Sequence, residues 1–238
     1  KYEVRTKVLY ENTDKAMDII KDILGTTDIT DEKRLYEILA QAKSRLQMSL
    51  SSAGHSVSAI RAMSYFSKTA YYNDMTGGIA LYRVIADYEE HFEEKKGMLI
   101  ERLDALRKKI FCKERLMVSL TADREGYDAA VKEILGSGAP QAAVPVLNCV
   151  KKNEGFLDAS QVQYVSRAGN FVKRGFSYTG ALRILKVILS YDYLWLNVRV
   201  KGGAYGCMSG FMRNGDSYFT SYRDPNLGKT NEIYEKTP

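Results

Sequence analysis

The tetrapeptide Arg213-Asn214-Gly215-Asp216 constrains the fold most, because it separates two segments of alternating character, 206–213 and 216–223. Asn-Gly between such segments is the strongest short signal for a β-hairpin, since both turn residues are expected at positive φ. Two further runs read as strands: Leu116–Leu120, short and apolar, and Gln161–Arg167. Between them lie a predicted helix at 124–135 and a stretch, 136–158, that carries Gly136, Gly138, Pro140, Pro145 and Gly155. That cluster of breakers predicts a long connection and the least ordered internal segment. A helix at 178–190 is expected to turn Tyr178, Leu182, Leu185 and Leu189 inward.

The first 110 residues have a different character. Val4–Tyr10 reads as a strand, after which Thr13 and Asp14 open a helix with Met17, Ile20, Ile23 and Leu24 on one side and Gly25 at its end. Thr30 is the expected cap of the next helix, whose stripe Leu35, Ile38, Leu39, Ala42 and Leu46 follows the 3.6-residue period. Residues 51–76 look less regular, and two helices follow near 79–92 and 96–109. The fold class is therefore α+β: a helix-rich first part, 1–111, followed by a mainly antiparallel sheet with helices packed on one face, 112–238.

The termini read as those of a chain cut from something longer. Lys1-Tyr2-Glu3-Val4 begins in strand-like sequence, and Asn231–Lys236 looks like a helix just begun. No apolar run approaches a membrane span. Cys112, Cys149 and Cys207 are too few and too far apart for a disulfide framework or a zinc pattern. A reducing compartment follows as the simplest reading, the cytoplasm first, with the mitochondrial matrix or another organelle as the alternative. The net charge of +6 is spread over 35 basic and 29 acidic residues, as in Glu89-Glu90-His91-Phe92-Glu93-Glu94-Lys95-Lys96. Such mixtures mark solvated helix faces, and no nucleic-acid motif concentrates the basic charge.

Catalytic parts are scarce. His55 and His91 are the two histidines, and His91-Phe92-Glu93-Glu94-Lys95 ends in Lys where an inverted zinc motif needs its second His. One histidine cannot supply the three protein ligands of a catalytic zinc, so no metal site is expected in this chain. Neither a nucleophile elbow nor a phosphate loop is present.

The segment Asn197-Val198-Arg199-Val200-Lys201-Gly202-Gly203-Ala204-Tyr205-Gly206 stands out. Its residues alone favour a helix ending: paired glycines, a basic last turn suited to the helix dipole, and a partly buried tyrosine. They also allow a second reading. Arg199 and Tyr205, on opposite sides of a tight turn, would converge as donors on a peptide carbonyl and its oxyanion. Gly202, Gly203 and Ala204 would then let a substrate backbone come close.

Arg199–Gly206, together with Tyr218-Phe219-Thr220-Ser221-Tyr222-Arg223-Asp224-Pro225-Asn226, resembles the final domain of the presequence-protease branch of the insulinase (pitrilysin-like) zinc metallopeptidases. Leu46–Ser56 and Arg61-Ala62-Met63-Ser64-Tyr65-Phe66 resemble the same branch. The resemblance covers nearly the whole chain. It implies a protein whose two halves close around an unfolded peptide, with zinc held by an inverted H-x-x-E-H motif and a distal Glu in the N-terminal half. The C-terminal half contributes an Arg and a Tyr, matched here by Arg199 and Tyr205 as catalytic groups, with Gly202, Gly203 and Ala204 as the substrate-binding stretch. Residues 1–111 would be the remainder of a third peptidase domain. The implied partners are short unfolded peptides, such as cleaved targeting sequences, and the N-terminal half, with no nucleic acid and no membrane. Lacking the metal half, the chain alone is expected to be inactive. The alternatives are a non-catalytic structural or partner-binding subunit of the same fold, and a nucleic-acid module suggested by pI, Arg167, Lys173 and Arg174.

Overall fold

The computed structural model describes residues 3–111, 117, 119–124, 147–157 and 161–237. Packing divides the chain into two compact units, Lys1–Ile38 with His91–Pro145, and Leu39–Glu90 with Val146–Pro238.

In the first unit the strand expected over 4–10 is absent. Glu3–Leu9 forms no regular element, and Tyr10–Asn12 is a 3-10 turn leading into α1, Thr13–Gly25. The alternation of Val4, Thr6 and Val8 meets no partner strand, and Val8 and Leu9 stay exposed. Helix α1 ends at Gly25 as read, with Ala16 as its buried residue. The next helix, α2, spans Glu32–Ser52. Its cap is Asp31 rather than Thr30: Asp31 Oδ1 accepts the Arg34 amide at 2.9 Å, while the Thr30 hydroxyl donates to Asp28. Helix α6, Phe92–Ile110, packs Phe92 edge-on against Tyr36 at 5.3 Å, and Lys96 pairs with Glu32 at 2.7 Å.

The second unit holds the sheet. Residues 51–76, read as irregular, form the close of α2 and two helices, α3 (Gly54–Ser64) and α4 (Lys68–Gly77); α5 follows at Ile79–Glu90. Small residues hide the pattern: Gly54, Ala59, Ser64, Ser67 and Ala70 are buried, so close approach replaces an apolar stripe. Strand β1 is Ser166–Asn170, at the end of the expected run and beyond it. An isolated bridge between Gln163 and Asp224 marks the part of that run that pairs, and the Ser221 amide donates to Val165 O at 2.9 Å. The hairpin strands are β2 (Gly206–Phe211) and β3 (Asp216–Tyr222), and the order is β1-β3-β2, antiparallel throughout. Only Gly215 in the turn has positive φ, at 89°. Met212 O accepts the Gly215 amide and Met212 N donates to Asp216 O, so the loop is a three-residue turn with a left-handed Gly, not the two-residue type.

The two faces of β3 serve different partners. On one, Leu189 of α7 (Ala181–Tyr191) and Tyr234 of α8 (Leu227–Glu235) build a core with Val165, Leu194, Val198 and Ala204. Phe219 stacks on Tyr234 at 5.5 Å. These are the helices expected on one face, and Tyr178, Leu182, Leu185 and Leu189 do point inward. The opposite face receives α3 through polar contacts. Ser166 Oγ lies 2.7 Å from both Ser58 Oγ and Thr220 Oγ1, and Thr220 donates to His55 O.

The expected strand at 116–120 lies partly outside the described residues; Met117, Ser119 and Leu120 are exposed and in no strand. The helix expected at 124–135 lies outside them beyond Arg124, as do Cys112 and residues 136–146 and 158 of the connection. Residues 147–157 form no helix or strand, yet they are tied to α3. Arg61 donates to both carboxylate oxygens of Glu154, at 2.8 and 3.1 Å, and Tyr65 OH donates to the same group. The guanidinium holds the Glu154 carboxyl down at about 2. Because the folded value lies below the unfolded one, this contribution is full above roughly pH 4.5 and is lost as pH falls from there towards 2. Melting temperature should therefore drop over that window, and Glu154→Gln should flatten the drop while lowering the neutral-pH melt. An equally steep acid limb in the variant would assign the titration elsewhere.

Candidate functional site

The segment that stood out in the sequence folds as a π-helix, Trp195–Val200, followed by a turn into β2. Lys201 N donates to Leu196 O, five residues back, and Asn197 Nδ2 donates to Tyr193 O. Such widened turns recur at functional sites because they rotate side chains out of α-helical register. Leu194 and Val198 are fully buried and Ala204 nearly so. At about 1.5–3 kcal/mol per large buried side chain, they fix the start and the return of the segment. Arg199 and Tyr205 directly follow Val198 and Ala204, two of these buried anchors.

The glycines are required. Gly203 has φ 81°, and a Cβ on Gly202 would lie 2.4 Å from Val198 O. The Gly203 amide donates to Arg199 O at 2.8 Å and the Ala204 amide to Val198 O at 3.2 Å. The helix-ending reading is therefore correct for the backbone. It does not account for the side chains. Arg199 lies over Trp195, 4.2 Å from the ring centre, and 5.5 Å from the centre of Tyr205. Its Nη1 donates to Tyr205 O at 2.7 Å. Arg199 and Tyr205 thus share one side of the turn, where opposite sides were expected: the left-handed Gly203 folds the chain back on itself. Tyr205 also meets Tyr222 edge-on at 5.8 Å, yet remains 65% exposed. Gly202 and Ala204 lie buried beneath the turn, and Gly203 is on the surface.

Sequence reasoning missed Trp195 and Tyr222, the aromatic supports of this pair. Trp195 four residues before Arg199 was the available signal. It also missed Tyr222's second contact, His55, which stands edge-on at 5.0 Å with Nδ1 buried and without a partner. Burial holds the His55 imidazole below its ordinary pKa. Cys149 and Cys207 are free thiols, and burial pushes Cys207 up to about 11, so it is a poor nucleophile.

Among the described residues no group of three or more His, Cys, Asp or Glu is placed to hold a metal ion. His55 sits between tyrosine rings, Tyr164 and Tyr222, and does not fit a zinc site. No helix among the described residues is long and apolar enough to cross a membrane.

Residues 1–87 match the family described as an associated region of the peptidases of family M16, subfamily C, and residues 153–238 match the PreP C-terminal domain. The chain is 34% identical over 242 residues to Protein HypA of Clostridium perfringens, covering 99% of this chain and 25% of that protein. It is 26% identical over 242 residues to Presequence protease 1, chloroplastic/mitochondrial, of Arabidopsis thaliana, covering 98% of this chain and 22% of that one. Identity to the mitochondrial presequence protease of Yarrowia lipolytica is 26% over 233 residues, 93% of this chain and 23% of the relative. The chain spans about a quarter of the length of the relatives it matches. Both family matches and these relatives agree with the residues around Arg199 and Tyr205: the chain belongs to the presequence-protease branch of the insulinase (pitrilysin-like) metallopeptidases and corresponds to its C-terminal part.

Proposed function

We propose that this chain is the substrate-holding C-terminal part of a zinc-dependent metalloendopeptidase that degrades short unfolded peptides. In this reading residues 1–111 belong to the third domain of the whole protein and 112–238 to its C-terminal domain. The described residues do not fit zinc, so the metal is assigned to the N-terminal half, and the chain alone is inactive. What this chain supplies is positioning and charge stabilisation. The Arg199 guanidinium, a planar fork of donors, holds the peptide backbone; the Tyr205 phenol donates to the oxygen that becomes negative when the scissile carbonyl is attacked. Gly203, the exposed member of the Gly202-Gly203-Ala204 stretch, lets the peptide approach. The partners are unfolded peptides and the N-terminal half. The compartment is a reducing one, the cytoplasm or an organelle of the kind that the names of several relatives carry.

The observation that supports this most is the juxtaposition of Arg199 and Tyr205 on one turn, with Tyr205 largely open to solvent. Arg199→Ala in the full-length peptidase should raise KM and lower kcat together, because the fork acts before and during reaction. Arg199→Lys should restore only part of either, since a point charge lacks the planar geometry. Unchanged peptide kinetics in Arg199→Ala would remove the arginine from the reading.

A further inference from the structure

Asn226 occupies the N-cap of α8, in extended conformation with φ −123° and ψ 107°. An asparagine there ordinarily accepts an amide hydrogen of its own helix. This one makes no such cap. Its side-chain amide instead donates to Gly202 O, 24 residues away, at 2.5 Å. The residues before it serve the same contact. The Asn226 backbone amide donates to Asp224 Oδ1 at 2.8 Å, and Asp224 is fully buried and paired with Gln163 through both backbone groups. The Pro225 ring lies 3.4 Å from where a Cβ on Gly203 would stand. Arg223, the one non-glycine at positive φ among the described residues, turns the chain into this corner, while the Tyr205 amide donates to Tyr222 O at 3.0 Å.

We infer that Asn226 is a positioning residue for Arg199 and Tyr205: its amide fixes the Gly202 carbonyl and with it the direction in which the turn presents both side chains. The inference rests on the functional reading above for its catalytic consequence, though not for its geometry. A capping role would be met equally by Asp or Ser. Holding Gly202 O requires a side chain that donates and reaches, and neither replacement does both.

Asn226→Asp keeps size and capping ability but places an acceptor against the carbonyl; Asn226→Ser keeps a capping side chain that is too short to reach. Trp195 is the single tryptophan and lies under Arg199, so its emission reports the turn without any activity. In this chain both variants should move Trp195 emission towards that of Arg199→Ala while remaining folded by circular dichroism. In the full-length peptidase both should lose about 10–100-fold in kcat, with a smaller change in KM. Adding either to Tyr205→Phe should bring little further loss, because one turn carries both effects. Unmoved Trp195 emission in both folded variants would overturn the inference, as would a loss that multiplies in full with that of Tyr205→Phe. If Tyr205→Phe itself leaves turnover intact, the functional reading fails, and the Trp195 signal alone decides whether Asn226 sets the turn.

Discussion

Tyr205→Phe in the full-length peptidase should lower kcat by about 10²–10³, the usual loss for one oxyanion donor, while KM moves little. The substitution removes a hydroxyl and nothing else. The ring that Arg199 covers at 5.5 Å and Tyr222 meets at 5.8 Å is retained, so the turn keeps its aromatic support. Because Tyr205 is 65% exposed, the fold should be indifferent, within about 0.5 kcal/mol. Thermal melting of the variant therefore separates catalysis from stability. Normal turnover with a normal melt would sink the catalytic assignment. A large fall in melting temperature would make Tyr205 a structural part of the helix ending.

The pattern of successes and misses follows from how local each signal is. The helices at 13–25, 32–52, 79–90 and 92–110 were legible because periodicity and breakers lie within each segment. The hairpin was legible from Asn214-Gly215, but the turn type was not, since it depends on how Met212 and Asp216 pair. Helices α3 and α4 escaped because their buried faces are built from Gly, Ala and Ser, which carry little hydrophobic signal. At the site, Arg199 and Tyr205 could be read from a short local motif. Asn226 could not, because the carbonyl it holds is brought to it by the sheet. Its motif, Tyr222-Arg223-Asp224-Pro225-Asn226, was visible; its purpose required the fold.

Arg61 illustrates the same limit and carries the largest expected effect on stability. It lies in the stretch Arg61–Phe66 that resembled the family, yet its partners are 13 and 93 residues away. Nη1 donates to Asp74 Oδ2 at 2.6 Å, the other two nitrogens hold Glu154, and the guanidinium lies 5.4 Å from the centre of Tyr65. Asp74 is only 2% exposed, and its second oxygen accepts the Ile79 amide at 3.0 Å at the start of α5. Arg61→Ala would leave that carboxylate buried without its counter-charge, which costs about 3–5 kcal/mol, more than the pair itself contributes. For a chain of this size each kcal/mol moves the melting temperature by about 2–4 °C, so a fall of at least ~6 °C is expected. Lysine should recover part of it, having charge without the fork that spans two carboxylates. Asp74→Asn combined with Arg61→Ala should cost less than Arg61→Ala alone, because the stranded charge is gone. Limited proteolysis gives an independent reading: cleavage within 147–157 should appear in Arg61→Ala sooner than in the parent chain, once Glu154 is released. A fall of under ~2 °C with unchanged cleavage would mean that water satisfies Asp74 and that the arginine is dispensable.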